Sequence, residues 1–313
     1  MSSPRPVIAV LMGGPDGEHQ VSLESGASVA QALRDADFGT ILEQVIPPTG
    51  LVELDSIQAD VIFPVLHGPW GEGGPLQELL ESDGRPFVGC GALAASAAMD
   101  KHHTKQVAQD LGIPTAPWER LDSQSTSTLS PPVVVKPVAE GSSLELHVAN
   151  TDAERDAAIA HVLNHGDDVL VEQFIDGREL TVGIVGDETL PIIEIQAAEG
   201  LYDYQAKYTR NDTVYVINPE IDSIVQEAVC HAALALHHGL GARHLSRVDF
   251  LLDHQGPWLL EINTMPGFTS HSLLPKAAAA RGWPLPELCR RLVNMALEAP
   301  TPSSLKGPGP ASR

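Results

Sequence analysis

The sequence predicts an α/β fold that begins with an open, largely parallel sheet. Two apolar runs, VIAVLM at residues 7–12 and VIFPVL at residues 61–66, each lead into a glycine-containing loop, as buried parallel strands do. Between them, apolar residues at helical spacing predict a helix over residues 22–33. Because strands that alternate with helices favour an open α/β sheet, the loops at the strand ends become candidate ligand sites.

The chain of 313 residues is long enough for two or three domains, each with its own core. We predict an N-terminal α/β domain over residues 1–95, a central α+β unit over 96–178 and a C-terminal unit over 179–299. Residues 300–313, rich in Pro, Ser and Gly, are expected to form a disordered tail. The segments predicted after residue 95 are a helix over 100–111, strands over 133–137, 169–175, 180–186 and 190–196, a polar loop over 198–213, and helices over 219–238 and 284–298.

The net charge of −22, from 19 basic and 41 acidic residues, argues against nucleic acid as a partner. Nucleic-acid binding requires a basic surface that neutralises phosphates, and the sequence contains no run of Lys or Arg. In so acidic a chain, an anionic substrate must meet cations that are placed locally. The candidates for such cations are Lys101, Lys136, Lys207 and Arg247, each of which lies inside a distinctive motif.

The sequence predicts neither a membrane anchor nor a disulfide framework. No stretch reaches the roughly 18–20 consecutive apolar residues that a spanning helix needs, and the start MSSPRP lacks the apolar core of a signal peptide. Cys90, Cys230 and Cys289 are odd in number and far apart, which favours small core residues over a disulfide or zinc site. We therefore expect a cytoplasmic protein.

The most informative pattern is a predicted β-hairpin near the C-terminus. A turn sequence at residues 253–257 separates two apolar segments that carry Arg247, Asp249, Glu261 and Asn263. Residues two apart in a strand share a face, so Glu261 and Asn263 point the same way, and so do Arg247 and Asp249. An all-oxygen set of this kind suits Mg²⁺, which leaves its other positions to water and phosphate. The alternative is a surface hairpin with incidental charge.

A second pattern indicates phosphate binding. Lys136 ends a short β-branched strand, and the polar turn EGSS at 140–143 follows it with N–H groups and hydroxyls that suit phosphate oxygens. The sequence contains no GxxxxGK[ST] motif, which excludes a P-loop protein. Two lysines on separate elements, a Gly-Ser turn and a late Asp…Glu-x-Asn set occur in an order that resembles the ATP-grasp superfamily. This resemblance implies an α/β fold with a three-domain ATP-grasp architecture.

Seven segments narrow the resemblance to one family. Any one of them is unspecific, whereas seven in register are highly specific, and together they look like those of D-alanine–D-alanine ligases. The segments are LMGG at 11–14 with EHQVS at 18–22, LHG at 66–68 with GE at 71–72, MDK at 99–101, VKP at 135–137 with EGSS at 140–143, YDYQAKY at 202–208, RVDF at 247–250, and EINTMPGFTSHSL at 261–273.

The resemblance implies an enzyme that uses ATP to phosphorylate the carboxylate of one D-alanine, after which the amine of a second D-alanine attacks the acylphosphate. Such ligases serve peptidoglycan precursor synthesis. The resemblance also implies residues for ATP and for two Mg²⁺ ions, or Mn²⁺. These are Lys101 and Lys136 for the phosphates, Glu140, Ser142 and Ser143 in the phosphate-binding turn, Lys207 near the transferring phosphate, Glu172, Gln173, Phe174, Ile175 and Glu179 for adenine and ribose, and Asp249, Glu261 and Asn263 for the metal ions.

The resemblance further implies residues for the two amino acids. Glu18 is implied to bind the ammonium group of the first D-alanine, and His67 to order that site. Arg247 and the backbone N–H of Gly267 are implied to stabilise the oxyanion. Ser272 and Leu273 are implied to bind the carboxylate of the second D-alanine. Tyr208 is expected to hydrogen-bond Ser142 as the loop over 198–213 closes. Closure matters because an open site would lose the acylphosphate to water.

Two positions depart from the family pattern. Leu144-Glu145 stands where the family usually has a Val-Gly pair, and Ala139 stands where a basic or polar residue is common. Loss of the glycine removes backbone freedom from the loop, and Glu145 adds negative charge near the phosphates. We therefore expect slower loop closure or a different loop path.

Other functions compatible with the sequence differ in the second substrate or in activity. One alternative is a ligase of the same architecture whose second substrate is D-lactate, D-serine or another amino acid. The resemblance favours D-alanine, because the family members that form depsipeptides differ in the loop that carries Lys207-Tyr208 here. Another alternative is a catalytically silent nucleotide-binding relative. The intact Asp249, Glu261 and Asn263 argue against it, because a silent protein has no chemical need for metal ligands. The family resemblance also implies a homodimer built on the N-terminal domain.

Overall fold

A computed structural model describes residues 5–139, 145–166, 168–196 and 213–298 of the protein. The strands are β1 Val7–Gly13, β2 Thr40–Ile46, β3 Val61–Pro64, β4 Trp118–Leu121, β5 Val133–Pro137, β6 His147–Ala149, β7 Val169–Gln173, β8 Arg178–Val185, β9 Glu188–Thr189, β10 Ile193–Gln196, β11 Val214–Ile217, β12 Leu245–Asp253 and β13 Gly256–Asn263. The helices are α1 His19–Asp35, α2 Gly68–Glu72, α3 Pro75–Asp83, α4 Ala92–Met99, α5 Lys101–Asp110, α6 Asp152–Asn164, α7 Ser223–Gly239, α8 Leu273–Ala280 and α9 Leu285–Glu298.

The described chain divides into two compact units. The first holds the residues up to 95 together with 242–246 and those from 264 onward, and the second holds 96–241 and 247–263. The predicted domain boundaries after residues 95, 178 and 299 stay predictions.

The first unit contains a parallel sheet in the order β2-β1-β3. The predicted strands at residues 7–12 and 61–66 are confirmed as β1 and β3, although β3 ends at Pro64. The edge strand β2 is absent from the predicted strands, because only Ile46 of its residues is buried and it shows no apolar run. The core between this sheet and its helices includes Leu11, Leu66, Leu76 and Leu80.

The loops that follow β1 and β3 lie side by side, as the sequence predicts for the ends of parallel strands. Asp16 Oδ2, after β1, accepts hydrogen bonds from the backbone N–H groups of Trp70 at 2.9 Å and Gly71 at 3.0 Å. Burial raises the pKa of Asp16, and these two N–H donors oppose that rise. One acidic side chain thus ties the two loops together.

The second unit contains two sheets. An antiparallel sheet in the order β4-β7-β5-β6 packs against α6 through Val133, Val135, Val162 and Val171, among others. The other sheet follows the order β11-β10-β8-β12-β13, with β9 paired to β8, and α7 covers one of its faces through residues such as Ala233.

Capping side chains explain where several helices begin. The carboxylate of Asp100 accepts the N–H of His103 before α5, the hydroxyl of Thr151 accepts that of Glu154 before α6, and the carboxylate of Asp222 accepts that of Ile224 before α7. The predicted helix over 219–238 therefore starts later, at Ser223. Among the helices described here, none has the length and apolar character that a membrane span requires.

The three cysteines are free thiols. Cys90 and Cys289 are buried, as the sequence predicts for small core residues, whereas Cys230 is half-buried. Burial raises the pKa of the Cys90 thiol to about 11, so it stays protonated at neutral pH.

Candidate active site

The predicted hairpin is formed by β12 and β13, and its register sets the polar face of the site. Asp249 lies directly opposite Glu261, and Arg247 lies directly opposite Asn263. Directly opposed residues of an antiparallel pair have Cβ atoms about 4.5–5.5 Å apart, and residues two apart share a face. The two carboxylates, the amide and the guanidinium therefore lie on one face of the hairpin. A register shift between Asp249 and Phe250 follows this cluster.

The carboxylate of Asp249 is held by two neighbouring side chains. Arg247 donates to it twice, from Nε to Oδ1 at 3.0 Å and from Nη2 to Oδ2 at 2.7 Å, and Thr181 Oγ1 donates to Oδ1 at 2.5 Å. Asp249 is only 4% exposed. Bidentate pairing in a buried position fixes both the carboxylate and the guanidinium in one orientation, as a preformed site requires.

A buried cluster of two lysines and one glutamate occupies the other sheet of this unit. The carboxylate of Glu172 on β7 forms ion pairs with Lys105 from α5, at 2.8 Å, and with Lys136 from β5. Lys136 lies two residues from Val134, which is directly opposite Glu172, so both charged side chains occupy one face. All three residues are buried.

The electrostatics of this cluster favour an anion. Burial acts to raise the pKa of Glu172, but the charges of Lys105 and Lys136 outweigh it and lower that pKa to about 2. Burial also lowers the pKa of Lys105, which Glu172 opposes. Two ammonium groups against one carboxylate leave an excess positive charge at this place in a strongly acidic protein. A phosphate ligand is the complementary charge.

A short polar path within the second unit joins the lysine cluster to the hairpin. Lys105 Nζ donates to Thr115 Oγ1 at 2.6 Å, and Thr115 Oγ1 donates to the carbonyl oxygen of Leu259 at 2.9 Å. Leu259 lies on β13, two residues before Glu261. Two hydrogen bonds therefore tie the lysine cluster to the hairpin that carries the predicted metal ligands.

The second predicted phosphate ligand, Lys101, is the first residue of α5 and is 8% exposed. Its backbone N–H donates to the carbonyl oxygen of Val138 at 3.1 Å. Val138 follows the β5 strand that carries Lys136, so the two lysine-bearing segments meet in space although 35 residues separate them in sequence.

Four of the five residues predicted to meet adenine and ribose lie between the end of β7 and the start of β8, whereas the fifth, Glu172, is the buried carboxylate of the lysine cluster. Gln173 ends β7 and donates from Nε2 to the carbonyl oxygen of Pro132 at 2.7 Å, and the backbone N–H of Phe174 donates to the same carbonyl at 3.1 Å. Ile175 follows these residues, and Glu179 lies near the start of β8. All four are half-buried.

Glu18 and His67 belong to the first unit. Glu18 occupies the N-cap position of α1, yet its side chain makes no capping hydrogen bond, and it is only 7% exposed. A solvated helix-cap acid is therefore a poor description of this residue. The His67 ring, 5% exposed, contacts the carbonyl oxygen of Met265 through Nδ1 at 3.1 Å. Both side chains are thus held in the interior next to loops that leave the sheet.

Gly267, Ser272 and Leu273 lie before and at the start of α8. The Ser272 hydroxyl accepts the N–H of Thr269 at 3.0 Å, and Ser272 is the N-cap of α8 without capping it by its side chain. A Cβ on Gly267 would lie 2.8 Å from Ser272 Oγ, which explains the glycine. Leu273 is buried as the first helical residue. A helix N-terminus beside a hydroxyl suits a carboxylate ligand.

Comparison with known families matches both halves of the chain. A family model described as the D-ala D-ala ligase C-terminus matches residues 107–294, and one described as the D-ala D-ala ligase N-terminus matches residues 49–90. D-alanine–D-alanine ligase B of Chromobacterium violaceum is 42% identical over 298 residues, which cover 92% of this chain and 96% of that protein. The chain belongs to the D-alanine–D-alanine ligase family.

Further relatives support this membership. The ligase of Anaeromyxobacter dehalogenans is 38% identical, covering 92% of this chain and 96% of its own. The solved structure of the D-alanine–D-alanine ligase from Bacillus anthracis is similar with a TM-score of 0.83 and 32% identity, covering 93% of this chain and 97% of its own. That of the VanG D-Ala:D-Ser ligase from Enterococcus faecalis gives a TM-score of 0.81 at 27% identity, covering 94% and 100%.

The predicted ATP-grasp fold, ligase activity and enzyme class are thereby confirmed. The roles of the individual residues in this ligase stay predictions. Five of the predicted site residues lie outside the described residues, namely Glu140, Ser142, Ser143, Lys207 and Tyr208.

Sequence reasoning missed three residues that shape the site of this ligase: Lys105, Thr115 and Thr181. A signal for Lys105 was present, because it follows Lys101 by four residues and so shares a face of the predicted helix. Thr115 and Thr181 gave no such signal, since a threonine after a proline or in an apolar strand is unremarkable until the partner carboxylate or ammonium is seen.

Proposed function

We propose that this ligase uses ATP to join two D-alanine molecules through phosphorylation of the first carboxylate. We further propose that separate groups of its polar residues bind the metal ions, ATP and the two amino acids. The observation that carries the proposal is the hairpin face on which Asp249 lies opposite Glu261, with Arg247 and Asn263 beside them. Such a face has no structural need for two opposed carboxylates, because like charges opposite each other destabilise a strand pair. A divalent cation removes that repulsion.

The donor set fits magnesium. Two carboxylates and an amide oxygen supply hard oxygen ligands, and the remaining coordination positions fall to water and phosphate. When bound, Mg²⁺ neutralises charge on the phosphoryl group that is transferred. Arg247 and Thr181 hold Asp249 in place for this role. The proposed ligands are Asp249, Glu261 and Asn263.

The lysine cluster is proposed to hold the phosphates of ATP. Lys136 and Lys101 contact phosphate oxygens, while Glu172 positions Lys136 and Lys105 supplies the excess positive charge. Gln173, Phe174, Ile175 and Glu179 are proposed for adenine and ribose. A related ligase from Bacillus anthracis, similar with a TM-score of 0.81 and 29% identity, was solved in complex with ATP.

The amino acids are assigned to the remaining residues. Glu18 accepts the ammonium of the first D-alanine, with His67 ordering the site, and the positive guanidinium of Arg247 with the N–H of Gly267 stabilises the oxyanion. Ser272 and Leu273, at the start of α8, receive the carboxylate of the second D-alanine. The attacking amine then expels phosphate, which is a far better leaving group than oxide.

A ligase for a different second substrate is the alternative, favoured by the likeness to the D-Ala:D-Ser ligase VanG. The higher identity to the relatives named for D-alanine argues for D-alanine at both positions. We further propose a cytoplasmic homodimer, with peptidoglycan precursor synthesis as its role, from the same family membership.

A substrate panel tests the proposal. Purified protein with ATP and Mg²⁺ receives D-alanine, L-alanine, D-serine, or D-alanine with D-lactate, and the products are identified by mass. D-alanyl-D-alanine as the main product, even with D-serine or D-lactate present at equal concentration, is expected. A mixed product in that competition supports the alternative, and no product from any D-amino acid refutes both.

A further inference from the structure

Three side chains in the four-stranded sheet region form a cluster outside the residues assigned above to the ligase reaction. Glu145 precedes β6, His147 begins β6, and His161 lies in the last turn of α6. His161 Nε2 donates to Glu145 Oε2 at 2.6 Å, and His147 Nε2 lies 3.7 Å from the same oxygen. One ligand atom from each residue lies within 4.8 Å of the others.

The backbone conformation of Glu145 indicates that its side chain has a role. Glu145 has a φ of +56°, a left-handed conformation that residues with a side chain rarely adopt. This is the position where the sequence departs from the glycine usual in the family. A glycine would adopt this φ without cost. The glutamate is tolerated while its carboxylate contacts the two histidines, and unfavourable backbone of this kind concentrates at ligand-binding places.

His147 provides a second observation that indicates a ligand at this cluster. Among the described residues, its Nε2 has no hydrogen-bond partner although this atom is shielded from solvent. A shielded ring nitrogen normally finds a partner, and a metal ion is one that it takes readily. A glutamate carboxylate is ionised at neutral pH, as a metal ligand must be.

We propose that Glu145, His147 and His161 bind a divalent transition-metal cation at a site separate from the oxygen-lined hairpin. Two imidazoles with one carboxylate suit Zn²⁺, Ni²⁺, Cu²⁺ or Fe²⁺, whereas Mg²⁺ prefers oxygen ligands. Metal–ligand bonds of about 2.0–2.2 Å in a tetrahedral arrangement place ligand atoms roughly 3.3 Å apart. The observed 2.6 and 3.7 Å lie on either side of that value, so small rotations of partly exposed side chains suffice.

The site would join β6 to α6. His165, one turn beyond His161, has its ring 4.5 Å from the ring of His161, and its Nδ1 donates to the backbone carbonyl of His161 at 2.8 Å. This contact packs the second ring against the ligand ring. Water fills the remaining coordination positions, since the cluster is partly exposed.

Calorimetric titration of the full-length, tag-free protein with Zn²⁺ in excess Mg²⁺ tests the proposal, because Mg²⁺ keeps the oxygen-lined set occupied. We expect one Zn²⁺ per chain. His147→Ala and His161→Ala should weaken binding by more than about tenfold, since even outer-shell partners of a metal ligand are worth about 10–100-fold. His254→Ala, which removes an exposed histidine on the β12–β13 turn, is the matched control and should bind as the parent does.

Glu145→Gly separates loss of the ligand from loss of the fold. The glycine accepts the positive φ, so the metal-free melting temperature should not fall, while Zn²⁺ should bind more weakly and raise that temperature less than in the parent. Unchanged Zn²⁺ affinity in Glu145→Gly, equal affinity in the His147, His161 and His254 variants, or no saturable binding by the parent overturns the proposal.

Discussion

Lys105 Nζ lies 2.8 Å from Glu172 Oε2, and the two side chains are 0% and 4% exposed. A buried ion pair gains little over apolar packing, but a buried charge that loses its partner is costly. Lys136 shares the same carboxylate, so Glu172 is the common anionic partner of two buried ammonium groups. This arrangement ties the stability of the second unit to the proposed phosphate site.

We predict that Glu172→Met lowers the free energy of unfolding by about 3–5 kcal/mol, because it leaves the buried ammonium groups of Lys105 and Lys136 without their shared carboxylate. Urea unfolding at pH 7 measures this change. The double variant Lys105→Met/Glu172→Met should be less destabilised than the sum of the single variants, because it also removes the Lys105 charge that Glu172→Met leaves without a partner. Additive effects, or a loss below about 1 kcal/mol as for an exposed pair, would contradict the account.

The same cluster predicts a dependence of stability on acid. The pKa of Glu172 falls from the unfolded value of 4.5 to about 2 in the folded state. Because the folded pKa is depressed, the stabilisation is complete above pH 4.5 and is lost as the pH falls towards 2. Urea unfolding between pH 5.5 and 2.5 should show a steeper loss in the parent than in Glu172→Gln. Parallel pH profiles would mean that this carboxylate does not stay ionised.

The measurements begin at pH 5.5, about one unit above the pH at which a carboxyl of ordinary pKa takes up a proton. Other carboxyls with lowered pKa, such as Asp83 beside Arg85, contribute equally to both proteins. The difference between the two profiles therefore reports Glu172 alone.

Removal of a proposed metal ligand should stop the chemistry and spare the fold. Glu261→Ala is expected to lower the rate of phosphate release by at least about 100-fold, since the metal carries much of the transition-state charge. Gln255→Ala, at the turn of the same hairpin, should keep the parent rate. Circular dichroism checks that both variants are folded. A normal rate in Glu261→Ala would show that the metal assignment is wrong.

Thr181 is predicted to act on the metal through Asp249. Thr181→Val keeps the shape but deletes the hydroxyl that donates to Asp249 Oδ1 at 2.5 Å in a buried place. Loss of an outer-shell partner should raise the Mg²⁺ concentration needed for half-maximal rate by about 10-fold, while saturating Mg²⁺ restores most of the rate. If the rate falls but its Mg²⁺ dependence is unchanged, Thr181 contributes to the fold alone.

The sequence predicted the elements that an apolar pattern marks, and missed those that depend on distant partners. The hairpin, β1, β3 and β5 were visible as apolar or β-branched runs. The short β6, with only three residues, and the mostly exposed β2 carry no such pattern. Their existence depends on the neighbouring strands that supply their hydrogen bonds.

The sequence was informative about the candidate active site to a similar extent. Strand periodicity was sufficient to place Arg247 with Asp249 and Glu261 with Asn263, and the register then set the two pairs opposite each other. The ion pair of Glu172 with Lys105 required the packing of α5 against strands far away in sequence. Glu145 was visible as a departure from the family pattern, but its positive φ and its histidine neighbours became apparent only in three dimensions.

Transfer of oxygen from D-alanine to phosphate reports whether the first carboxylate is phosphorylated. In the proposed reaction, a carboxylate oxygen of the first D-alanine attacks phosphorus and leaves with phosphate when the second amine attacks the carbonyl carbon. With ATP, Mg²⁺ and D-alanine labelled with ¹⁸O in its carboxylate, mass spectrometry of the released phosphate should find one ¹⁸O for each dipeptide formed. Dipeptide formed together with unlabelled phosphate would contradict the account.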